Sequence, residues 1–227
     1  FKVNINAYST VWGNRFVTRS LSNSQGVDGF AQFKNIDVVH NGIEVESSWN
    51  PFDNLRFKGM LSIGDWRYTK DFEAELFDDN QQSIGTGTLY LKDAKVGDAA
   101  QFVSYLEADY RLGSKLNVDL GYRFVDNLYA DYSITDSEFT QPDNAGALKL
   151  PSYGLLDLGT TLRFNLFGND ATFRVNINNL LDTTYIAESN SNIHADASST
   201  TWNGVDTRNY VWFGFGRTWN ASLKYRF

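Results

Sequence analysis

The final twelve residues, Gly216-Arg-Thr-Trp-Asn-Ala-Ser-Leu-Lys-Tyr-Arg-Phe227, alternate without a break. Trp219, Ala221, Leu223, Tyr225 and Phe227 fall on one side, and Thr218, Asn220, Ser222, Lys224 and Arg226 on the other. A period of two belongs to an extended strand with one greasy face. Strands of soluble sheets run about 5–6 residues, whereas a tilted strand needs about 9–11 to cross a bilayer. This stretch is long enough to cross, and so constrains the chain toward a membrane-spanning antiparallel sheet.

The pattern recurs upstream. Alternating stretches at 1–12, 36–49, 55–68, 102–112, 116–124, 156–165 and 171–186 predict seven more strands. Turns at 50–54, 113–115 and 167–170 are short and rich in Asn, Asp, Gly and Pro, which suit tight bends. The other connections are long and polar: 13–34, an acidic segment at 69–99 whose residues 85–91 predict an extra hairpin arm, 133–149, and 188–207. Alternation of short and long connections is the asymmetry of bacterial outer-membrane barrels, and it places both chain ends at the periplasmic rim.

Mean hydropathy of −0.38 would ordinarily suggest a soluble protein, but a strand apolar on one side and polar on the other averages to nothing on such a scale. Only 3 prolines against 15% aromatic residues favour long strands over disorder. A net charge of −7 argues against nucleic acid, which wants a basic face. No apolar run is long enough for a helical span. A soluble β-sandwich or lipocalin-like barrel would also have one apolar face, turned inward. Aromatics gathered near the expected strand ends, among them Trp12, Trp49, Tyr68, Tyr110, Tyr153 and Tyr225, instead suggest interfacial girdles.

In the membrane arrangement Glu44, Glu46, Asp109, Arg111, Asp119, Arg123, Arg163 and Arg174 line a polar lumen. There they are expected to pair with one another or with whatever fills it, since a lone charge in a confined space is costly. Loop residues suited to a ligand are Tyr129, His194, Trp202, Tyr210 and Trp212, against the plainer readings of Tyr210 and Trp212 as girdle and of His194 as ordinary loop. Asp78-Asp-Asn80 lacks EF-hand spacing and reads as a solvated turn. Two histidines, no cysteine and no nucleophile elbow leave no catalytic constellation, so no enzyme activity, cofactor or metal is expected.

Several stretches are similar to the C-terminal part of a TonB-dependent outer-membrane receptor barrel, especially Bacteroidota-type members. They are Leu150-Pro-Ser-Tyr-Gly-Leu-Leu-Asp-Leu-Gly159, Val175-Asn-Ile-Asn-Asn-Leu-Leu-Asp-Thr-Thr-Tyr185, Gly216-Arg-Thr-Trp219 and Tyr225-Arg-Phe227, with weaker likeness at 40–46, 96–101 and 122–132. A full receptor of that family has a plugged barrel of about 22 strands, so the whole chain is expected to be its C-terminal segment, without the plug domain and earlier strands. The resemblance implies outer-membrane uptake of a scarce nutrient, most often an iron chelate such as a siderophore, energised by the TonB complex acting on the plug. It also implies that Trp219, Leu223, Tyr225 and Phe227 are read by the barrel-assembly machinery. Whether a surface lipoprotein lid partners the barrel stays open, and a self-contained eight-stranded anchoring barrel and a passive porin stand as alternatives.

Overall fold

The computed structural model describes residues 1–22, 28–134 and 136–227. Its strands are β1 (Lys2–Ser22), β2 (Asp28–Phe52), β3 (Leu55–Tyr68), β4 (Phe72–Asp78), β5 (Ser83–Leu89), β6 (Phe102–Leu112), β7 (Leu116–Asp126), β8 (Tyr153–Leu166), β9 (Asn169–Asn178), β10 (Ile186–Ser189), β11 (Thr201–Trp202), β12 (Val205–Asp206), β13 (Val211–Phe213) and β14 (Thr218–Tyr225). One antiparallel sheet runs β14-β9-β8-β7-β6-β3-β2, with β1 on the far side of β2. These eight strands form a wall. Its outer strands, β1 and β14, do not pair with each other, so the sheet is open among the described residues.

The register explains why the wall holds together. Trp49, Phe57, Ala108, Leu120, Leu158, Ile177 and Trp219 stand directly opposite one another across seven strands. One step away, Arg56, Asp109, Asp119, Gly159, Asn176 and Asn220 form a matching polar row. Because side chains alternate, the first row lies on one face and the second on the other across these strands. The apolar face is uncovered: Ile5 is 67% exposed, Leu106 58% and Leu223 61%.

The three expected turns join strands at one end. Asp53-Asn54 links β2 to β3, residues 113–115 link β6 to β7, and Phe167-Gly168 links β8 to β9. Phe167 and Gly168 take φ of 51° and 85°, the left-handed pair that suits the twist of a two-residue hairpin. Every long connection lies at the opposite end. There β4 and β5 form the expected hairpin, docked on the upper half of β2 through Gly29–Phe33, with Asp78 closing its turn by accepting from the Asn80 and Gln82 amides at 2.9 and 2.8 Å.

The expected loop at 13–34 is instead strand: β1 continues to Ser22 and β2 begins at Asp28, while residues 23–27 lie outside the described residues. The reason is a bulge. Asn14 and Asn35 take left-handed φ of 58° and 56°, the β1–β2 register shifts around Arg15, and the Asn14 amide is held by Asp37 at 3.2 Å. One extra residue per strand inverts the facing of those beyond it. Val11 is exposed below the bulge, whereas Val17 packs on a core above it.

The seventh strand also stops earlier than expected, at Asn178. Asn179, at φ 51°, turns the chain and clasps Thr183 through side-chain bonds to its N–H and C=O at 2.8 and 2.9 Å.

Above the wall the loops build two dry cores. The first gathers Phe33, Ile36, Val38, Tyr68, Phe72, Leu89, Leu91 and Phe139. The second gathers Leu128, Ala130, Leu148, Leu150, Ile186 and Val205, with Tyr153, Trp202 and Val211 packed against it. Tyr68 is thus a core residue and Tyr153 packs against a core, and neither is girdle, because the strand ends they occupy are covered by folded loops; Trp12, opposite Val38, is not girdle either, since register turns it to the polar face.

Candidate lumen wall and ligand-facing loops

All eight charged residues expected on the polar side, Glu44, Glu46, Asp109, Arg111, Asp119, Arg123, Arg163 and Arg174, share one face by register. Opposite charges sit across from each other on neighbouring strands. Arg56 meets Asp109 at 3.2 Å and Lys58 meets Glu107 at 2.8 Å. Arg174 grips Asp119 with two bonds of 2.9 and 3.0 Å and also donates to Thr161. Such a two-pronged pairing fixes geometry as well as charge. It needs Gly159: a Cβ there would come within 2.0 Å of the Asp119 carboxylate.

The Tyr105 hydroxyl donates to Glu107 at 2.9 Å, and the Arg123 guanidinium lies 6.0 Å from the Tyr105 ring centre. Glu44 accepts from the Asn6 side-chain amide at 3.4 Å, and Arg111 donates to the Asp53 carbonyl. Arg56, Lys58, Tyr105 and Glu107 were missed as members of this network. Their alternation was visible, but which strand faced which was not.

The loop candidates do not converge on one point. Trp202 packs on the second core and meets Phe213 edge-on at 5.2 Å. Tyr129 bridges to Lys149 in backbone pairing. His194 Nε2 lies 3.0 Å from the Gly146 carbonyl and 3.8 Å from Glu138, beside Asn192, which accepts from the Leu148 amide and donates to Gly146. These contacts clasp the 127–152 and 179–217 segments together. Tyr210 and Trp212 remain exposed, one strand residue apart on β13 and its approach.

Asp206 ties the same region: its carboxylate accepts from Arg208 Nη2 at 2.6 Å and from the Ser199 hydroxyl at 2.5 Å. The Arg208 guanidinium, then the Ser199 hydroxyl, hold it well below the usual carboxylate range. Burial pushes the Tyr132 phenol up, and its hydroxyl donates to the Lys95 carbonyl at 2.6 Å. Beside this clasp opens a polar cleft of about 480 Å³, lined by Tyr90, Lys92, Asp93, Lys95 and Asn144, which composition alone did not single out.

Trp219, Leu223 and Tyr225 lie on the apolar face of β14, and Phe227 follows it fully exposed.

The family model described as TonB dependent receptor-like, beta-barrel matches residues 1–180. The siderophore receptor PiuA from Acinetobacter baumannii is a structural neighbour, at 15% identity and a TM-score of 0.55. The match covers 93% of this chain and 28% of that one, so this chain spans little more than a quarter of its neighbour's length. No curated protein matches the chain.

Proposed function

Because the chain belongs to the TonB-dependent receptor β-barrel family, whose barrels reside in the bacterial outer membrane, we propose that it forms the C-terminal wall and outer loops of a nutrient-uptake receptor. The observation that carries this reading is the unbroken seven-strand apolar row on an uncovered face, backed by ion pairs on the other. A lipid exterior and an aqueous interior satisfy both sides of such a wall. In this reading the short turns are periplasmic and the loops with the two cores are extracellular. Glu44, Glu46, Asp109, Arg111, Asp119, Arg123, Arg163 and Arg174 line the lumen against the receptor's plug, and the TonB complex acts through that plug.

The cargo is a scarce nutrient of the iron-chelate class. The structural neighbour, a siderophore receptor, supports that class, and the exposed aromatics Tyr210 and Trp212 suit contact with it. Trp219, Leu223, Tyr225 and Phe227 serve as the segment read by the barrel-assembly machinery. Deleting the gene and supplying single ferric chelates as the iron source tests the cargo. Slowed growth on at least one chelate, rescued by the full receptor, is the expected result. Normal growth and undiminished radio-iron uptake on every chelate would remove the iron assignment.

A further inference from the structure

Two glycines, Gly42 of β2 and Gly64 of β3, pair directly on the polar face of the wall. Tyr8 lies flat over the first, so that a Cβ on Gly42 would sit 2.3 Å from its hydroxyl. Trp66 lies over the second, where a Cβ would sit 2.9 Å from the indole nitrogen. The two rings meet across the shallow floor, Trp66 Nε1 donating to the Tyr8 hydroxyl at 3.0 Å. His40 stacks on Trp66, with centres 5.1 Å apart and planes 16° from parallel, and Trp12 follows at 6.3 Å. The result is a platform of four rings. One row nearer the short turns stand Asn6, Glu44 and Ser62.

A ring covering a glycine is a common way to protect a bare strand, and here Tyr105 over Gly121 and Tyr122 over Gly154 do so singly. The Gly42–Gly64 site differs among the described residues in having two paired glycines and a row of rings in which His40 and Trp66 stack and Trp12 is tilted by 44°. Trp12 is exposed, and Tyr8, His40 and Trp66 are half-buried. The near-parallel His40–Trp66 face, bordered by an amide, a carboxylate and a hydroxyl, matches a ring that stacks through its C–H or π face while its hydroxyls bond at the edge. Glu44 stands one row away and the Arg15 guanidinium acts on His40, so the nearby charges are mixed and a neutral ring is the ligand they suit best.

We propose that Tyr8, His40, Trp66 and Trp12 form a stacking subsite for an uncharged, hydroxyl-bearing ring, with Asn6 and Glu44 receiving its hydroxyls. The proposal rests on the reading that this face lines the uptake path. Sugars and neutral catechols share this chemistry, and two probes uncharged at neutral pH, maltotriose and catechol, tell the sources apart.

The test is saturation-transfer NMR and titration calorimetry on the intact receptor in lipid nanodiscs. Binding of either probe is expected, and the probe bound names the source. Trp66→Leu should weaken it about tenfold, Trp66→Phe should recover most of the loss, and Leu112→Ala, at the short-turn end of the apolar face, should change nothing. Gly64→Val, which lifts the indole off the wall, offers a second route to the same loss should the leucine variant fail to assemble. Neither probe binding, or equal binding by Trp66→Leu and Gly64→Val, overturns the subsite. A receptor that transports normally but ignores both probes would sink the subsite alone, while probe binding by a receptor inactive in every uptake assay would sink only the transport reading.

Discussion

The wall and the loop cap above it use the same residue types in opposite senses. In the wall, Ile5, Leu106, Leu120 and Leu223 are left uncovered and the charges face one another on the reverse side. In the cap, Phe139, Ile36, Leu89 and Leu150 are sealed inside and the polar groups face out or clasp loops. The bulge at Asn14 and Asn35 is where one arrangement passes into the other on β1 and β2. On the proposed membrane reading, each region reports its solvent. Leucine against lipid loses nothing by being uncovered, while phenylalanine surrounded by water must be enclosed by other side chains.

The sharpest way to break this contrast is to truncate one residue of each kind. Phe139→Ala should cost the cap about 3–5 kcal/mol, because a fully buried ring leaves a cavity where Tyr132 and the β5 region lose their partner. Hydrogen exchange across 72–91 and 128–150 should rise while the wall strands stay protected; unchanged protection of the cap would show that its core contributes no stability of its own. Leu120→Arg on the uncovered face should cost about 2–4 kcal/mol if that face meets hydrocarbon near mid-depth. Denaturant titration of the receptor folded in vesicles reads this loss, and an indifferent arginine would mean that the greasy side does not face lipid.

The smallest effect belongs to the wall's short-turn end, where stability should rise. Phe167 holds a left-handed φ with a bulky side chain that stands 89% exposed. Phe167→Asn makes the Asn-Gly pair such a hairpin prefers and should stabilise the wall by about 1 kcal/mol in the same titration. A loss of stability there would mean that the phenyl ring has a contact at the rim worth more than the strain.

Much of this was readable from alternation alone. Leu55 to Tyr68, Phe102 to Leu112 and the turn at 113–115 fall where the period places them, and the arm expected at 85–91 is present as Ser83–Leu89, while its partner strand Phe72–Asp78 was not read. Residues 13–34 misled because the bulge inverts facing midway, so a strand read against a single period looks like a loop. The 171–186 stretch misled in the opposite way: Asn179 ends the strand with side-chain bonds, which periodicity does not register. Among site residues, the charges of the polar face were legible as a set and their partners were not.

By itself the sequence determined that these strands have one apolar and one polar side and which connections are short, since both follow from local alternation and turn chemistry. Tertiary structure decided which residues stand opposite one another: Arg174 reaching over Gly159 to Asp119, Lys58 against Glu107, and Trp66 and Tyr8 lying over Gly64 and Gly42. Register is set by pairing between segments far apart in the chain, and no local pattern within either strand carries it.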